Sequence, residues 1–237
     1  MRVHRALAQA GVASRRAAEL LVAEGRVTVN GEVAHVGQVV QSTDRLEVDG
    51  SPVNPEPIYT YMLNKPMGMV STAYDPEGRP TVLDPMPDDV RLYPVGRLDI
   101  DTTGLLLITN DGDLAHQLMH PSSKVPKTYE AMVAGRVSAA GVRQLREGVE
   151  LEDGMTQPAV VEILDRQAPG CTWLSIEITE GRNRQVRRMC DVIEHPVRKL
   201  ARTRYGGLGL GKLRRGEFRS LASTEITKLE QIAGVTR

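Results

Sequence analysis

The segment HRALAQAGVASRRAAELLVAEGRVTVNGEVA patterns its apolar and polar positions as two short helices followed by a hairpin. Ser14 is placed to cap the second helix, and Gly25 to end it in a left-handed conformation. Val27 and Val29 lead into Asn30-Gly31, a pair favoured in two-residue hairpin turns. The stretch DRLEVDG, from Asp44, closes this unit with one more strand. Three prolines in SPVNPEP, residues 51–57, lack the N–H that a ladder needs and predict a linker. The expected division is a first domain over 1–52, a linker over 53–58 and a second domain over 59–237.

Beyond the linker, YTYMLNKP, TGLLLIT, KTYEAMVAG, QPAVVEIL and TWLSIEIT predict strands. GDLAHQLMH, SAAGVRQLREG, RNRQVRRMCDVIEH and STEITKLEQIAG predict helices. The two kinds do not alternate regularly, which points to an α+β fold and not a doubly wound parallel sheet.

Composition adds a partner. Lys plus Arg number 30 and Asp plus Glu 30, so net charge alone argues for nothing. The distribution is uneven: twelve basic residues lie between Arg182 and Arg219, against Asp191, Glu194 and Glu217. Arg2, Arg5, Arg15 and Arg16 fall in a start that holds no acid before Glu19. Two basic segments on a neutral chain suggest local contact with an anion, most commonly nucleic acid. Cys171 and Cys190 form neither a metal-ligand spacing nor a disulfide framework, so a reducing compartment is expected. No apolar run approaches the ~18 residues of a membrane span. The arginine-bearing start leads straight into folded pattern, which argues against a targeting peptide.

Several motifs fall short of the chemistry they suggest. His116 and His120 are four apart, but Gln117 stands where an HExxH enzyme has its Glu, and no third ligand is evident. GGLGLGKL, from Gly206, begins like a phosphate-binding loop, yet Leu213 replaces the magnesium-binding hydroxyl. No clear strand precedes it and no helix follows, so it is read as a glycine-rich turn. Asp99 and Asp101 form a D-x-D pair that no other residue completes as a metal site. Arg97 and Asp99 sit two apart before TGLLLIT, where an extended chain projects both the same way. In EGRNRQVRRMCDVIEH, Val186, Met189, Cys190 and Ile193 make a buried stripe, and Arg184, Arg187, Arg188 and Asp191 follow the same spacing beside it. That charged face reads either as a solvated surface with an Arg187–Asp191 pair or as a site for an anion.

VGRLDIDTTGLLLITNDG, together with NKPMG, KTYE and EGRNRQVRRM, resembles the RsuA/RluB group of rRNA pseudouridine synthases. The resemblance covers essentially the whole chain, with the motifs in the group's order. It implies a small N-terminal α-L RNA-binding domain ahead of a catalytic domain built on a mixed, largely antiparallel sheet with flanking helices. ASRRAAELL, DPEGRPTV, LAHQLMHPS, VELEDG and RYGGLGL are more similar to the large-subunit (RluB-type) enzymes than to the small-subunit ones. The implied activity is site-specific isomerisation of uridine to pseudouridine in large-subunit (23S) rRNA. The alternatives are a 16S rRNA enzyme, or a non-catalytic RNA-binding ribosome-assembly protein that keeps only the scaffold.

The same resemblance implies roles for single residues. Asp99 is the catalytic carboxylate, acting as nucleophile or as base while the uracil detaches, turns and rejoins through carbon 5. Either role needs a charged carboxylate shielded from water, and burial alone would neutralise it. Arg187 matches the arginine expected beside it. Tyr129 matches the residue that stacks on the target base, and Arg97 the one that fills the place of the flipped uridine. Lys65 and Leu200 frame the pocket, with packing roles. Arg184 and Arg188 are expected RNA contacts, and relatives outside the group carry His where Arg184 stands. Arg2, Arg5, Arg15 and Arg16 are expected to grip the RNA backbone from the two N-terminal helices. Aromatic residues are only 3% of the chain, which argues against a stacking platform for single strands and for recognition of a folded stem-loop. The isomerisation is redox-neutral on one nucleoside, so no cofactor and no metal are expected. The expected setting is a cytoplasmic monomer acting on an rRNA stem-loop or a pre-ribosomal particle, with no membrane contact.

Overall fold

The computed structural model describes residues 1–235; Thr236 and Arg237, the end of the expected second domain, lie outside the described residues. The chain divides into two compact units. The first comprises residues 1–59 with the short pieces 87–91 and 110–112, and so includes the expected linker. Its helices are α1 (Val3–Gln9) and α2 (Arg15–Ala23). Ser14 caps α2 by accepting the Ala17 N–H at 3.1 Å, and Gly25 follows with φ +72°. Strands β1 (Val27–Val29), β2 (Glu32–Val33), β3 (Leu46–Val48) and β4 (Ser51–Pro52) form one sheet in the order β2-β1-β3-β4. Asn30 and Gly31 both take positive φ in the β1–β2 turn, as the hairpin pair predicts. Ser51 and Pro52 are thus paired strand residues, because Pro52 lies on the sheet edge where its missing N–H leaves no ladder bond unmade. Val3, Leu7, Ala18, Val22, Val27 and Val29 form the core.

The second unit carries one nine-stranded sheet. Its elements run β5 (Thr60–Lys65), β6 (Tyr93–Val95), β7 (Thr103–Thr109), α3 (Gly112–Met119), β8 (Lys127–Ala134), α4 (Ala139–Glu147) and β9 (Glu150–Leu151). There follow β10 (Gly154–Met155), β11 (Val160–Ile163), β12 (Cys171–Ile178), α5 (Gln185–Val192) and β13 (Val197–Tyr205). The described chain closes with β14 (Leu208–Gly209), β15 (Phe218–Ser220) and α6 (Ser223–Ala233). The strand order is β11-β12-β8-β13-β7-β5-β15, with β6 beside β7 and β14 beside β13. Every pair in this sheet is antiparallel except β13 with β7, so the sheet is mixed and the fold α+β.

Every residue of β7 is buried, which is why TGLLLIT reads as a continuous apolar run. One core gathers Leu145 of α4 and Val186, Met189 and Cys190 of α5 with β8, β11 and β12. A second gathers Leu114 and Leu118 of α3 and Leu229 of α6 with β5 and β7. Burial pushes the Cys190 thiol up to about 12, so it packs as an apolar group. β13 was not expected, and it corrects the reading of GGLGLGKL: a strand does lead into that turn. Gly206, Gly207 and Gly211 take positive φ there, and no helix follows until Ser223.

Candidate active site

The loop Gly96–Thr102 joins β6 to β7 and carries Arg97, Asp99 and Asp101. It is fixed from several sides. The Gly68 N–H donates to Ile100 O at 2.9 Å. The Ser71 hydroxyl donates to Leu98 O at 2.8 Å and accepts the Leu98 N–H at 3.1 Å. Lys65, at the end of β5, is fully buried and donates to Asp99 O, Thr102 O and Pro66 O at 3.0, 2.9 and 3.1 Å. All three ammonium protons are therefore used, and the side chain expected only to pack is a charged clamp under the loop. Burial pushes its amine down to about 8, against the opposing charges of Asp101 and Asp99. Past the loop, Gly104 (φ +106°) passes so close to the Arg202 carbonyl that any Cβ would collide with it.

Arginines meet the loop from α5. The helix starts at Gln185, later than the sequence pattern suggests, because Arg184 takes a left-handed conformation (φ 47°) at its N-cap. Such a conformation is strained for a side-chain-bearing residue, and strain of this kind collects at functional sites. Arg184 Nη1 lies 3.5 Å from Asp99 Oδ2, and its Nη2 3.4 Å from Asp101 Oδ2. Arg187 Nη2 lies 3.1 Å from Asp101 Oδ2 and donates to Asp101 O at 3.2 Å. Arg187 thus pairs with Asp101, two residues along the loop from Asp99, and not with Asp191. It is Arg184 that faces Asp99.

Asp99 opens onto a cavity of about 470 Å³, which Arg97, Tyr129 and Leu200 also line. On its β8–β13 wall, Tyr129 pairs in register with Arg202 and Lys127 with Tyr205. A bulge between Arg202 and Arg204 brings Tyr205 back to the side of Arg202, so all four side chains line the cavity. Arg202 is 2% exposed; its Nε donates to Leu105 O at 2.8 Å and its guanidinium stacks 4.9 Å from the Tyr205 ring. Its Nη2 is buried with no hydrogen-bond partner among the described residues. Lys127 donates to Val125 O at 2.9 Å, and burial together with the Arg202 charge pushes its amine down to about 8. Glu180, the other carboxylate lining the cavity, accepts from Arg182, Gln185 and the Gln157 N–H.

The sequence model described as RNA pseudouridylate synthase matches residues 59–191, and the S4 domain model matches residues 1–46. The chain belongs to the RNA pseudouridylate synthase family. The ribosomal large subunit pseudouridine synthase B of Bacillus subtilis (strain 168) is 45% identical, over 98% of this chain and 96% of its own. An uncharacterized RNA pseudouridine synthase of Mycobacterium tuberculosis (strain ATCC 25618 / H37Rv) is 46% identical, over 99% and 95%. A solved pseudouridylate synthase superposes with a TM-score of 0.70 at 31% identity, covering 97% of this chain and 99% of that one.

The synthase places the remaining expected residues as follows. Arg97 is exposed at the cavity edge, without a hydrogen bond or ion pair among the described residues. Leu200 is 7% exposed and belongs both to the core and to the cavity wall. Arg188 holds both carboxylate oxygens of Asp153, at 2.9 and 3.0 Å, so its guanidinium is already committed to a protein partner. Arg182 secures the same β9–β10 hairpin through Gly154 O and Met155 O. Arg15 and Arg16 are exposed in the first turn of α2, Arg5 is half-buried on α1, and Arg2 stands at the N-cap of α1. His120 caps a short 3-10 turn by accepting the Ser122 N–H at 3.2 Å, which accounts for one of the paired histidines. Sequence reasoning missed Lys127, Arg202 and Tyr205 as cavity residues; their signal, a tyrosine two residues from a lysine and an arginine two after Leu200, means little until β8 and β13 are known to pair.

Proposed function

We propose that this synthase isomerises a uridine of large-subunit ribosomal RNA, with Asp99 as the acting carboxylate. The observation that carries the reading is the contrast between the two carboxylates in the cavity. Glu180 is bonded by three neighbours, whereas among the described residues the Asp99 carboxylate has only the 3.5 Å approach of Arg184. The large-subunit substrate is supported by the 45% identical Bacillus subtilis relative, which spans nearly the whole chain.

In this reading the target nucleotide leaves its helix and enters the cavity, Tyr129 stacks on the base, and Arg97 fills the vacated place. Arg187 and Lys65 hold the loop that presents Asp99, and Leu200 closes the wall. The C1′–N1 bond breaks with its electron pair on the base, and a C1′–C5 bond forms. C5 then loses its proton and N1 gains one, so the nucleotide keeps its composition. Lys127 and Arg202 offer positive charge to the base while it carries the extra electron pair.

RNA affinity comes from exposed arginines and lysines. Arg2, Arg15 and Arg16 serve in the S4 domain. In the catalytic unit Arg198, Lys199, Arg204, Lys212, Arg214 and Arg215 are exposed with no side-chain partner among the described residues, which suits phosphate contact better than Arg188 does. One copy holds the whole site, so a monomer suffices, working in the cytoplasm during ribosome biogenesis. The test incubates the full chain with large- and small-subunit rRNA transcripts in EDTA and maps pseudouridine at nucleotide resolution. A single modified uridine in the large-subunit RNA is expected. Modification confined to small-subunit RNA, or none in either, overturns the reading.

A further inference from the structure

His120 lines the same cavity as Arg97 and Asp99 and is exposed at its mouth. Its ring is fixed by the turn that it caps. Nδ1 accepts the Ser122 N–H at 3.2 Å and lies 2.6 Å from the Ser122 hydroxyl. A ring nitrogen that accepts leaves the proton of a neutral imidazole on the other nitrogen, so His120 presents an Nε2–H. That donor has no partner among the described residues. The chain bearing it is anchored on the site. Met119 Sδ accepts the N–H of Gly96, the first residue of the Asp99 loop. The Tyr205 hydroxyl donates to Leu118 O at 2.9 Å, and the His120 N–H donates to His116 O at 2.9 Å. A cap needs only an acceptor, and Ser, Asp or Asn fills that role more often. What imidazole adds is a second nitrogen, turned away from the cap and held at a set place beside the loop.

A nucleotide whose base reaches Tyr129 and whose sugar reaches Asp99 leaves its phosphates at the cavity mouth. The mouth suits them. Arg97 is exposed there, and Lys124, just past the 3-10 turn Pro121–Ser123, is exposed as well. Neither has an ion-pair partner among the described residues. Positive charge of this kind favours an anion, and a phosphate oxygen accepts an N–H in a charge-assisted bond. We propose that His120 Nε2–H binds a non-bridging phosphate oxygen next to the target uridine and holds the backbone of the extruded nucleotide at the cavity mouth. The proposal rests on the reading that the target nucleotide enters this cavity to meet Asp99. It gives a second task to a residue that the turn alone does not require to be histidine.

The test measures single-turnover pseudouridine formation by the full chain on a synthetic rRNA fragment around the mapped uridine, with thermal unfolding of each variant. No product from the wild-type chain, or full turnover by Asp99→Asn, overturns the underlying reading and this proposal with it. His120→Asn keeps an acceptor for the Ser122 N–H and loses the donor at Nε2. It should therefore unfold as the wild type does and react about tenfold more slowly, the worth of one charge-assisted hydrogen bond. His120→Ser, another capping residue without that donor, takes its place if the Asn variant does not fold. The partner is then identified on the RNA. A single phosphorothioate is placed on either side of the target uridine, each diastereomer separately, and one of them should slow the wild type by about fivefold. In His120→Asn the same sulfur should cost less than about twofold, because its donor is gone. A His120→Asn rate equal to wild type overturns the proposal and leaves His120 as a cap alone. So does a sulfur effect of equal size in both proteins, or none in the wild type. Removing a neighbouring 2′-hydroxyl is the remaining arm. If that loss slows the wild type but not His120→Asn, while the sulfur effect persists in both, the ribose is the partner and the phosphate assignment falls.

Discussion

Beside the Gly96–Thr102 loop, three cations face two carboxylates and a row of carbonyls, whereas on the β8–β13 wall Lys127 and Arg202 hydrogen-bond, among the described residues, only to carbonyls. The loop end is neutralised, and its geometry fixes where a carboxylate stands. The wall keeps positive charge with no ion pair among the described residues, and Arg202 Nη2 there lacks a hydrogen-bond partner. Buried, unpaired charge is expensive in free energy. Its retention next to a cavity makes sense when a passing negative charge is part of the reaction. In the proposed reaction, one end holds the reagent and the other receives what the reaction releases.

The largest expected effect comes from removing the reagent. Asp99→Asn should lower single-turnover pseudouridine formation by roughly 10⁴-fold or more, with RNA affinity nearly unchanged. Retained turnover would show that the loop end is only an electrostatic frame.

Next comes the clamp. Lys65→Met leaves the Asp99, Thr102 and Pro66 carbonyls without their shared donor and should destabilise the fold by about 3 kcal/mol, read by chemical denaturation. The wild-type enzyme should also lose activity as pH rises through about 8, where the ammonium gives up one of its three donors. A pH–rate profile flat to pH 10 would sever the clamp from catalysis.

Much of the loop end was legible from the sequence, and little of the wall was. GRLD and RNRQVRR are local signals, each read within one stretch of chain. TGLLLIT matches β7 at both ends because a strand buried on both faces needs no alternation to be recognised. VRKLARTRY, by contrast, became the strand between β8 and β7 while looking like a charged loop. Two register shifts, after Val197 and after Arg202, break its period of two, and one of its arginines points where an apolar residue is expected. Pro94 hid β6 in the same way, since a proline argues against a strand except beside a single partner. The pairing of Arg187 with Asp101 and of Arg184 with Asp99 was illegible because it depends on the left-handed turn at Arg184, a conformation that Arg rarely adopts.

On the wall, Arg202→Met gives a smaller and more telling change. Removing an unpaired buried charge should leave stability within about 1 kcal/mol of wild type, since the lost Leu105 bond is offset by the relieved burial of charge. Turnover should nevertheless fall by about tenfold with KM unchanged, because the charge acts only when the base carries its extra electron pair. A variant less stable and equally active would turn the wall into ordinary scaffold.

The smallest effect is a slope. Lys127 titrates near 10.5 when unfolded and about 8 in the fold, so between these values the unfolded chain binds more protons. Stability attributable to this group must then rise with pH across that window, the reverse of a lysine that gains a carboxylate partner. Lys127→Met should remove this part of the slope, measured by denaturant unfolding from pH 7.5 to 10.5, while Lys65 continues to contribute its own. Arg202→Met should shrink it without abolishing it, because burial is the larger cause of the lowered amine and the Arg202 charge the lesser. A slope unchanged in both variants would mean that Lys127 is solvated in solution, and the contrast between the two ends of the cavity would rest on Arg202 alone.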